Sequence, residues 1–317
     1  MRIGLFTDGL SHLHLGDVLG WCRENEVVDI ELGVGGYSSA PHVDLASLVN
    51  EPLARDRLAG ELDESGCRLV ALNASGNPLH PDVSVGDAHD AVLRNAVRVA
   101  RLLGVNRVVA MSGCPGGPGG GSWPVFAGGA WLPDMEGLWD WQWEQKIAPY
   151  WRQFSRWASV EAPDVTICLE LHPGTSIYNA ESFALLCTVT EGNVLVNLDP
   201  SHFWWQGIDP LREIEALAGR IGFAHGKDTI VHPGRVAVHG VLDFRWPAAA
   251  ATMPWHFCAV GAGHTEEEWC KLLAALRRGG YDGVVSIEHE DPDREPEAGI
   301  ALSLAGLRAA LNSARDG

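Results

Sequence analysis

The stretch that decides the fold runs from residue 165 to residue 291. It holds VTICLELHPG (165–174), VLVNLDPSH (194–202), IGFAHGKD (221–228) and GVVSIEHED (283–291). Each is a short apolar run that ends in an acid or an imidazole: Glu170, Asp199, His225 and Glu288. Helix-like sequence separates each run from the next. Three carboxylates and one imidazole converging on one point repel unless a cation lies between them. The simplest reading is one divalent metal at the mouth of a parallel barrel.

Working outward, eight strands are predicted: Ile3 to Thr7, Val28 to Leu32, Leu69 to Asn73, Arg107 to Met111, Thr166 to Leu171, Val194 to Leu198, Gly222 to Ala224 and Val284 to Ile287. Their continuous apolar character suits strands covered on both faces, as in parallel sheets. The intervening segments show apolar spacing of three and four, as in Val92, Ala96, Val99 and Leu103, or Leu272 and Leu276 before the Gly279-Gly280 stop. Eight βα units in series, with no linker, predict an α/β chain folded as a single (β/α)8 TIM barrel over residues 1–317. The rival is a doubly wound sheet with extra strands. Long loops follow the fourth and seventh strands. The first, SGCPGGPGGGSWPVFAGGAWLPDMEG (112–137), lacks the Lys-Ser/Thr of a phosphate loop. It reads as an active-site lid carrying Trp123 or Trp131.

Composition narrows the function. The 317 residues carry a net charge of −18, without the basic patch that a nucleic-acid binder shows. No apolar run approaches ~20 residues, so no membrane span is expected. The opening MRIGLFTDGL reads as a first strand rather than a secretory signal. The seven cysteines are odd in number and contain no CxxC, which fits reduced thiols in a cytoplasmic protein.

Strand alternation sets which neighbours share a direction. Glu170 points with His172, His225 with Lys227, and Glu288 with Glu290; His202 lies three residues past Asp199. Glu170, Asp199, His225 and Glu288 are the expected metal ligands. Oxygen and nitrogen donors without thiolate suit Mn2+, Mg2+, Co2+ or Fe2+ better than structural zinc. Lys227 reads as a substrate hydrogen-bond donor rather than a Schiff-base lysine. Trp204, close after Asp199, reads as a stacking surface for a sugar. Of the 13 tryptophans, Trp143, Trp151 and Trp157 suit a helix packing stripe.

The series LELHPG, NLDPSH, AHGKDT and GYDGVVSIEHED, with the opening TD and the ELG ending the second strand, resembles the xylose-isomerase-like TIM-barrel superfamily of sugar isomerases and epimerases. The resemblance implies a (β/α)8 barrel with one divalent metal, Mn2+ foremost, held by Glu170, Asp199, His225 and Glu288. It implies that Glu170 and Glu288 are the catalytic pair that exchanges the α-proton of a keto-sugar, with His202 contacting the sugar. Two departures stand out. The ketose epimerases carry an arginine six positions after the metal histidine, where this chain has Val231 and Arg235 is out of register. The endonuclease branch uses extra histidines where this chain has Asn73 and Ser112, so DNA repair is not expected.

The expected activity is a metal-dependent sugar isomerase or epimerase, with proton abstraction next to a carbonyl through a metal-stabilised enediolate. One alternative is a lyase that cleaves 3-oxo-glycosides by β-elimination at the same site. SSAPH (38–42), NASGNPLHP (73–81) and the Trp-rich loop resemble, more weakly, the catalytic subunit of C-glycoside deglycosidases. His80 would be an auxiliary acid or base there, or else a loop cap. A second alternative is a non-catalytic sugar-binding barrel. His202, Lys227, His172, His80, Asn73 and Trp204 are the expected substrate-binding residues. The expected partner is a neutral keto-sugar or keto-glycoside rather than a sugar phosphate. No nucleic acid or membrane partner is expected, and any protein partner is a further copy of the chain or, if deglycosidase-like, a small subunit.

Overall fold

The computed structural model describes residues 1–129, 132–242 and 252–316. Eight parallel strands form a closed barrel, the predicted (β/α)8 architecture. In chain order they are β1 (Arg2–Phe6), β2 (Asp29–Gly33), β3 (Arg68–Asn73), β4 (Arg107–Met111), β5 (Thr166–Glu170), β6 (Val194–Leu198) and β7 (Ile221–Gly226), followed after a two-stranded insertion by β10 (Val284–Ile287). The order around the barrel is β1-β10-β7-β6-β5-β4-β3-β2. The insertion comprises β8 (Asp228–Val231) and β9 (Trp255–Cys258), which pair antiparallel.

The chain divides into two compact units. One comprises Met1–Glu31, Ser65–Arg68 and Leu198–Gly317; the other comprises Leu32–Glu64 and Leu69–Asn197. In the first, β1 pairs with β10 in the register Ile3↔Val285, and β10 pairs with β7 in the register Ser286↔His225. Every residue of β7 and β10 is buried, which accounts for their mostly apolar character. The helix Glu266–Arg278 starts on a capping box between Thr265 and Glu268 and buries Trp269, Leu272, Leu273 and Leu276.

In the second unit, β5 pairs with β4 (Met111↔Glu170) and with β6 (Glu170↔Asn197). The helix Val83–Leu103 is capped by Asp82 and stopped by Gly104 in the left-handed region, φ 69°. Its buried face runs through Leu93, Ala96, Val97, Val99 and Ala100; Ala96 and Val99 of the predicted stripe lie on it, while Val92 and Leu103 are half-buried. Trp151 is wholly buried and donates Nε1–H to the Ser112 carbonyl at 3.1 Å. The buried amide of Gln142 pins the long loop after β4, donating to the carbonyls of Gly116 (3.0 Å) and Val125 (2.8 Å). Trp123 on that loop is 81% exposed, and Trp131 lies outside the described residues.

The segment after the seventh barrel strand was expected to be a long loop. It carries β8, the helix Pro233–His239 and β9. Asp228 anchors it. Its buried carboxylate accepts from the backbone N–H groups of Gly261, Gly263 and His264 at 3.0–3.3 Å, from Trp269 Nε1 at 3.1 Å and from His264 Nδ1 at 2.6 Å. Among the described residues no helix is long and apolar enough to cross a membrane.

Gly36 marks a tight backbone crossing. The Tyr37 N–H bonds the Ser75 carbonyl at 2.8 Å. Gly36 has φ +84°, and a Cβ there would lie 2.2 Å from the Ser75 oxygen. Gly36→Ala is expected to destabilise the fold by about 2–4 kcal/mol, through an incompatible φ and a backbone clash. A urea midpoint unchanged from wild type would refute this.

Candidate metal centre

Asp199 follows β6, His225 lies within β7, and Glu288 follows β10. These are C-terminal strand ends, where barrel enzymes place their chemistry. Asp199 and His225 are about 1% exposed. Asp199 Oδ1 accepts the Ser201 N–H at 2.9 Å, which orients the carboxylate. Its Oδ2 is buried without a hydrogen bond, with Lys227 Nζ at 3.1 Å and His202 Nε2 at 3.4 Å.

Lys227 is the positive centre of the cluster. It is 2% exposed, and its Nζ lies 2.6 Å from Glu288 Oε2 and 2.8 Å from Glu290 Oε2. With Asp199, three carboxylates share one ammonium. The excess negative charge favours a further cation. The Phe257 ring lies 4.5 Å from the ammonium, so a cation–π contact adds to its pairing.

The imidazole of His225 is held from both sides. Nε2 lies 3.2 Å from the buried Glu31 carboxylate, and Nδ1 lies 3.2 Å from Glu288 Oε2. With Nδ1 given to a cation beside Glu288, Nε2–H would donate to Glu31 and fix the ring.

Glu170 ends β5, and its Oε2 accepts from Asn197 Nδ2 at 3.1 Å. Asp199, His225 and Glu288 each offer a ligand atom within 4.8 Å of one another. Donors at roughly 2.0–2.3 Å around one ion lie at most about twice that distance apart, so the residues fit a divalent cation.

The other predicted residues fall in varied places. His202 is 1% exposed and meets Phe257 edge-on at 5.3 Å. His172 Nδ1 lies 2.6 Å from the Pro173 carbonyl. His80 caps its own loop, accepting the Asp82 N–H on Nδ1 at 3.1 Å. Asn73 is buried and accepts the Ser75 N–H at 3.0 Å. Trp204 stacks on His264 at 3.8 Å, so one of its faces is already covered. Glu31 and Asn197 were not predicted as site residues. The available signal was a polar side chain inside an apolar strand, DIELG or VLVNL, since such a group needs a buried partner.

A closed barrel of eight parallel strands with interleaved helices defines the class of (β/α)8 TIM barrels. The chain belongs to the xylose isomerase-like TIM barrel family, whose profile matches residues 30–310. It is 34% identical over 316 residues to the uncharacterized protein YfiH of Bacillus subtilis (strain 168), covering 98% of this chain and 100% of that one. Among solved structures, the probable 3-DHS dehydratase AsbF of Bacillus anthracis superposes with TM-score 0.67 at 16% identity, over 97% of this chain and 99% of that one. An L-ribulose 3-epimerase gives 0.62 at 18%, over 99% and 97%. The IolI protein with a bound zinc atom gives 0.66 at 19%, over 99% of both chains. At these identities the structures share the fold.

Glu31→Gln is expected to weaken Mn2+ binding about 10- to 100-fold, because the amide no longer fixes the His225 ring with a charged acceptor. Titration calorimetry on the purified variant measures it; unaltered affinity would remove Glu31 from this role.

Proposed function

We propose that the chain is a divalent-metal-dependent enzyme that removes the proton next to the carbonyl of a neutral keto-sugar, and so acts as an isomerase or epimerase. The observation that carries this reading is the gathering of Asp199, His225 and Glu288 within 4.8 Å of one another, and Glu170, at the end of β5, is proposed as the fourth ligand. Mn2+ is the ion proposed. When bound, it would polarise the substrate carbonyl and offset the charge of the enediolate.

The chain's own groups supply the rest. Glu170 and Glu288 are the proposed proton acceptor and donor. Asn197 steadies Glu170, and Lys227 steadies Glu288. His202 is the proposed contact for a sugar hydroxyl. The ligand cluster sets this reading above a purely sugar-binding barrel, because a binding surface has no need to bury so many acids together. None of the seven cysteines is joined in a disulfide among the described residues, which fits a reducing, cytoplasmic setting.

A neutral substrate is favoured over a phosphorylated one. Lys227 is already paired with three carboxylates, and Arg235 donates Nη1–H to the Thr252 carbonyl. Arg245 lies outside the described residues. The lyase reading on 3-oxo-glycosides shares the first proton transfer and differs in losing the β-substituent. A cavity of about 620 Å³ beside the centre favours a substrate larger than a free sugar.

Exchange of solvent deuterium into keto-sugars tests the chemistry. Glu170→Gln is expected to lower the exchange rate by about 10²- to 10⁴-fold while Mn2+ still binds, since an amide oxygen can ligate but not accept the proton. Chelation should abolish exchange in the wild-type protein and Mn2+ should restore it. Full exchange in the variant would remove Glu170 from the role of base.

A further inference from the structure

The three carboxylates around the Lys227 ammonium are not equivalent. Lys227 donates to Glu288 Oε2 at 2.6 Å and to Glu290 Oε2 at 2.8 Å, and Asp199 Oδ2 lies 3.1 Å from Nζ. Asp199 and Glu288 are proposed metal ligands, with side chains 0% and 15% exposed. Glu290 stands outside that ligand set. Its side chain is 50% exposed and lines the adjoining cavity.

A half-exposed glutamate samples many rotamers unless its backbone is held. Glu290 is held on both sides. His289 before it sits in a place kept clear: a Cβ at Gly299 would lie 2.1 Å from its Cε1, and one at Gly9 would lie 3.1 Å from its Cβ. Asp291 after it is buried and accepts the Ala259 N–H at 3.0 Å, the Asp293 N–H at 2.9 Å and Arg294 Nη1–H at 2.7 Å. Asp291 thus ties this segment to the end of β9. Its neighbour Glu290 is delivered to the ammonium from a fixed backbone.

A divalent cation and the ammonium draw on the same oxygens. Glu288 Oε2, bonded to Lys227, also lies 3.2 Å from His225 Nδ1. Asp199 Oδ2, beside Lys227, also lies 3.4 Å from His202 Nε2. A cation held by Asp199 and Glu288 takes up their charge and stands close to a second positive group. With those two carboxylates alone, the buried ammonium would then be short of negative charge, and an uncompensated buried charge is costly. Three carboxylates against one ammonium leave two negative charges over, which is the charge of one divalent cation. Without Glu290 the balance is one charge short.

We propose that Glu290 is a positioning residue for the metal centre: it keeps the Lys227 ammonium paired, so that Asp199 and Glu288 can turn to a divalent cation. The role rests on the metal-dependent reading above. It is exerted through Lys227 and not on the substrate.

Titration calorimetry with Mn2+ on the full-length protein tests this without turnover. Glu290→Gln keeps the size of the side chain and removes its charge. It should bind Mn2+ about 10-fold more weakly than wild type. Glu267→Gln removes one charge from an exposed pair with Lys271 and should leave the affinity unaltered. In a Lys227→Met background the Glu290→Gln loss should fall below about 3-fold, because the group it acts through is gone. Thermal melting supplies a second readout that needs no Lys227 variant. A merely structural Glu290 would lower the melting temperature of the metal-free protein when replaced. A positioning role leaves that temperature within about 2 °C and shrinks the rise caused by Mn2+ by about 3 °C. Equal Mn2+ affinity of wild type and Glu290→Gln overturns the proposal. So does a matching loss in Glu267→Gln, an undiminished loss in the Lys227→Met background, or a drop in metal-free melting temperature with the Mn2+ rise intact. Wild-type protein that binds no Mn2+ sinks the metal-dependent reading and the proposal together. Glu290-dependent Mn2+ affinity in a protein that exchanges no deuterium keeps the positioning role and sinks the catalytic reading alone.

Discussion

The arrangement depends on holding several carboxylates close together out of water. Isolated, each would be driven to protonate or to swing outward. Lys227 prevents this by setting one buried ammonium among Asp199, Glu288 and Glu290. The remaining acids have their own donors. Glu31 meets His225, and Glu170 meets the Asn197 amide. A buried charge network of this kind contributes little net stability, because desolvation offsets the attraction. Its value is geometric: the oxygen atoms stay aimed at one point.

Strand register makes that aim possible. Ser286 of β10 lies beside His225 of β7, which sets the Glu288 strand end next to Lys227. Glu170 of β5 lies beside Asn197 of β6. Parallel strands that share a direction deliver their terminal side chains at one level. The β8–β9 hairpin adds what strand ends cannot. Phe257 and His256, two neighbours on one strand, serve the ammonium and the adjoining cavity respectively.

Much of this was legible in the sequence. The strands Arg107–Met111, Val194–Leu198 and Val284–Ile287 match their predicted bounds, because each is a dense apolar run that a polar residue or the barrel rim ends abruptly. Asp199, His225 and Glu288, at or near the ends of predicted strands, lie within 4.8 Å of one another. Three features were hidden. The β8–β9 hairpin is built from two four-residue runs separated by more than twenty residues, so no local alternation announced it. The partnership of Glu31 with His225 spans 194 positions, and nothing near either residue names the other. The stacking of one Trp204 face on His264 was not announced either, because it depends on how the Asp228 carboxylate folds the later loop.

The Asp228 carboxylate also bears on how related chains can diverge. It stands immediately after Lys227, and it gathers the backbone of Gly261, Gly263 and His264 onto one side chain. A Cβ at Gly263 would lie 2.3 Å from the Thr229 carbonyl, so that turn tolerates neither bulk nor an inserted residue. Evolutionary drift in loop length is thereby steered away from the 259–265 bend. It is free to act on the glycine-rich stretch after β4, where Gly119, Gly120 and Gly121 have open space around them. Paralogues with new substrates would then differ there first, with the Lys227 backbone left where it is.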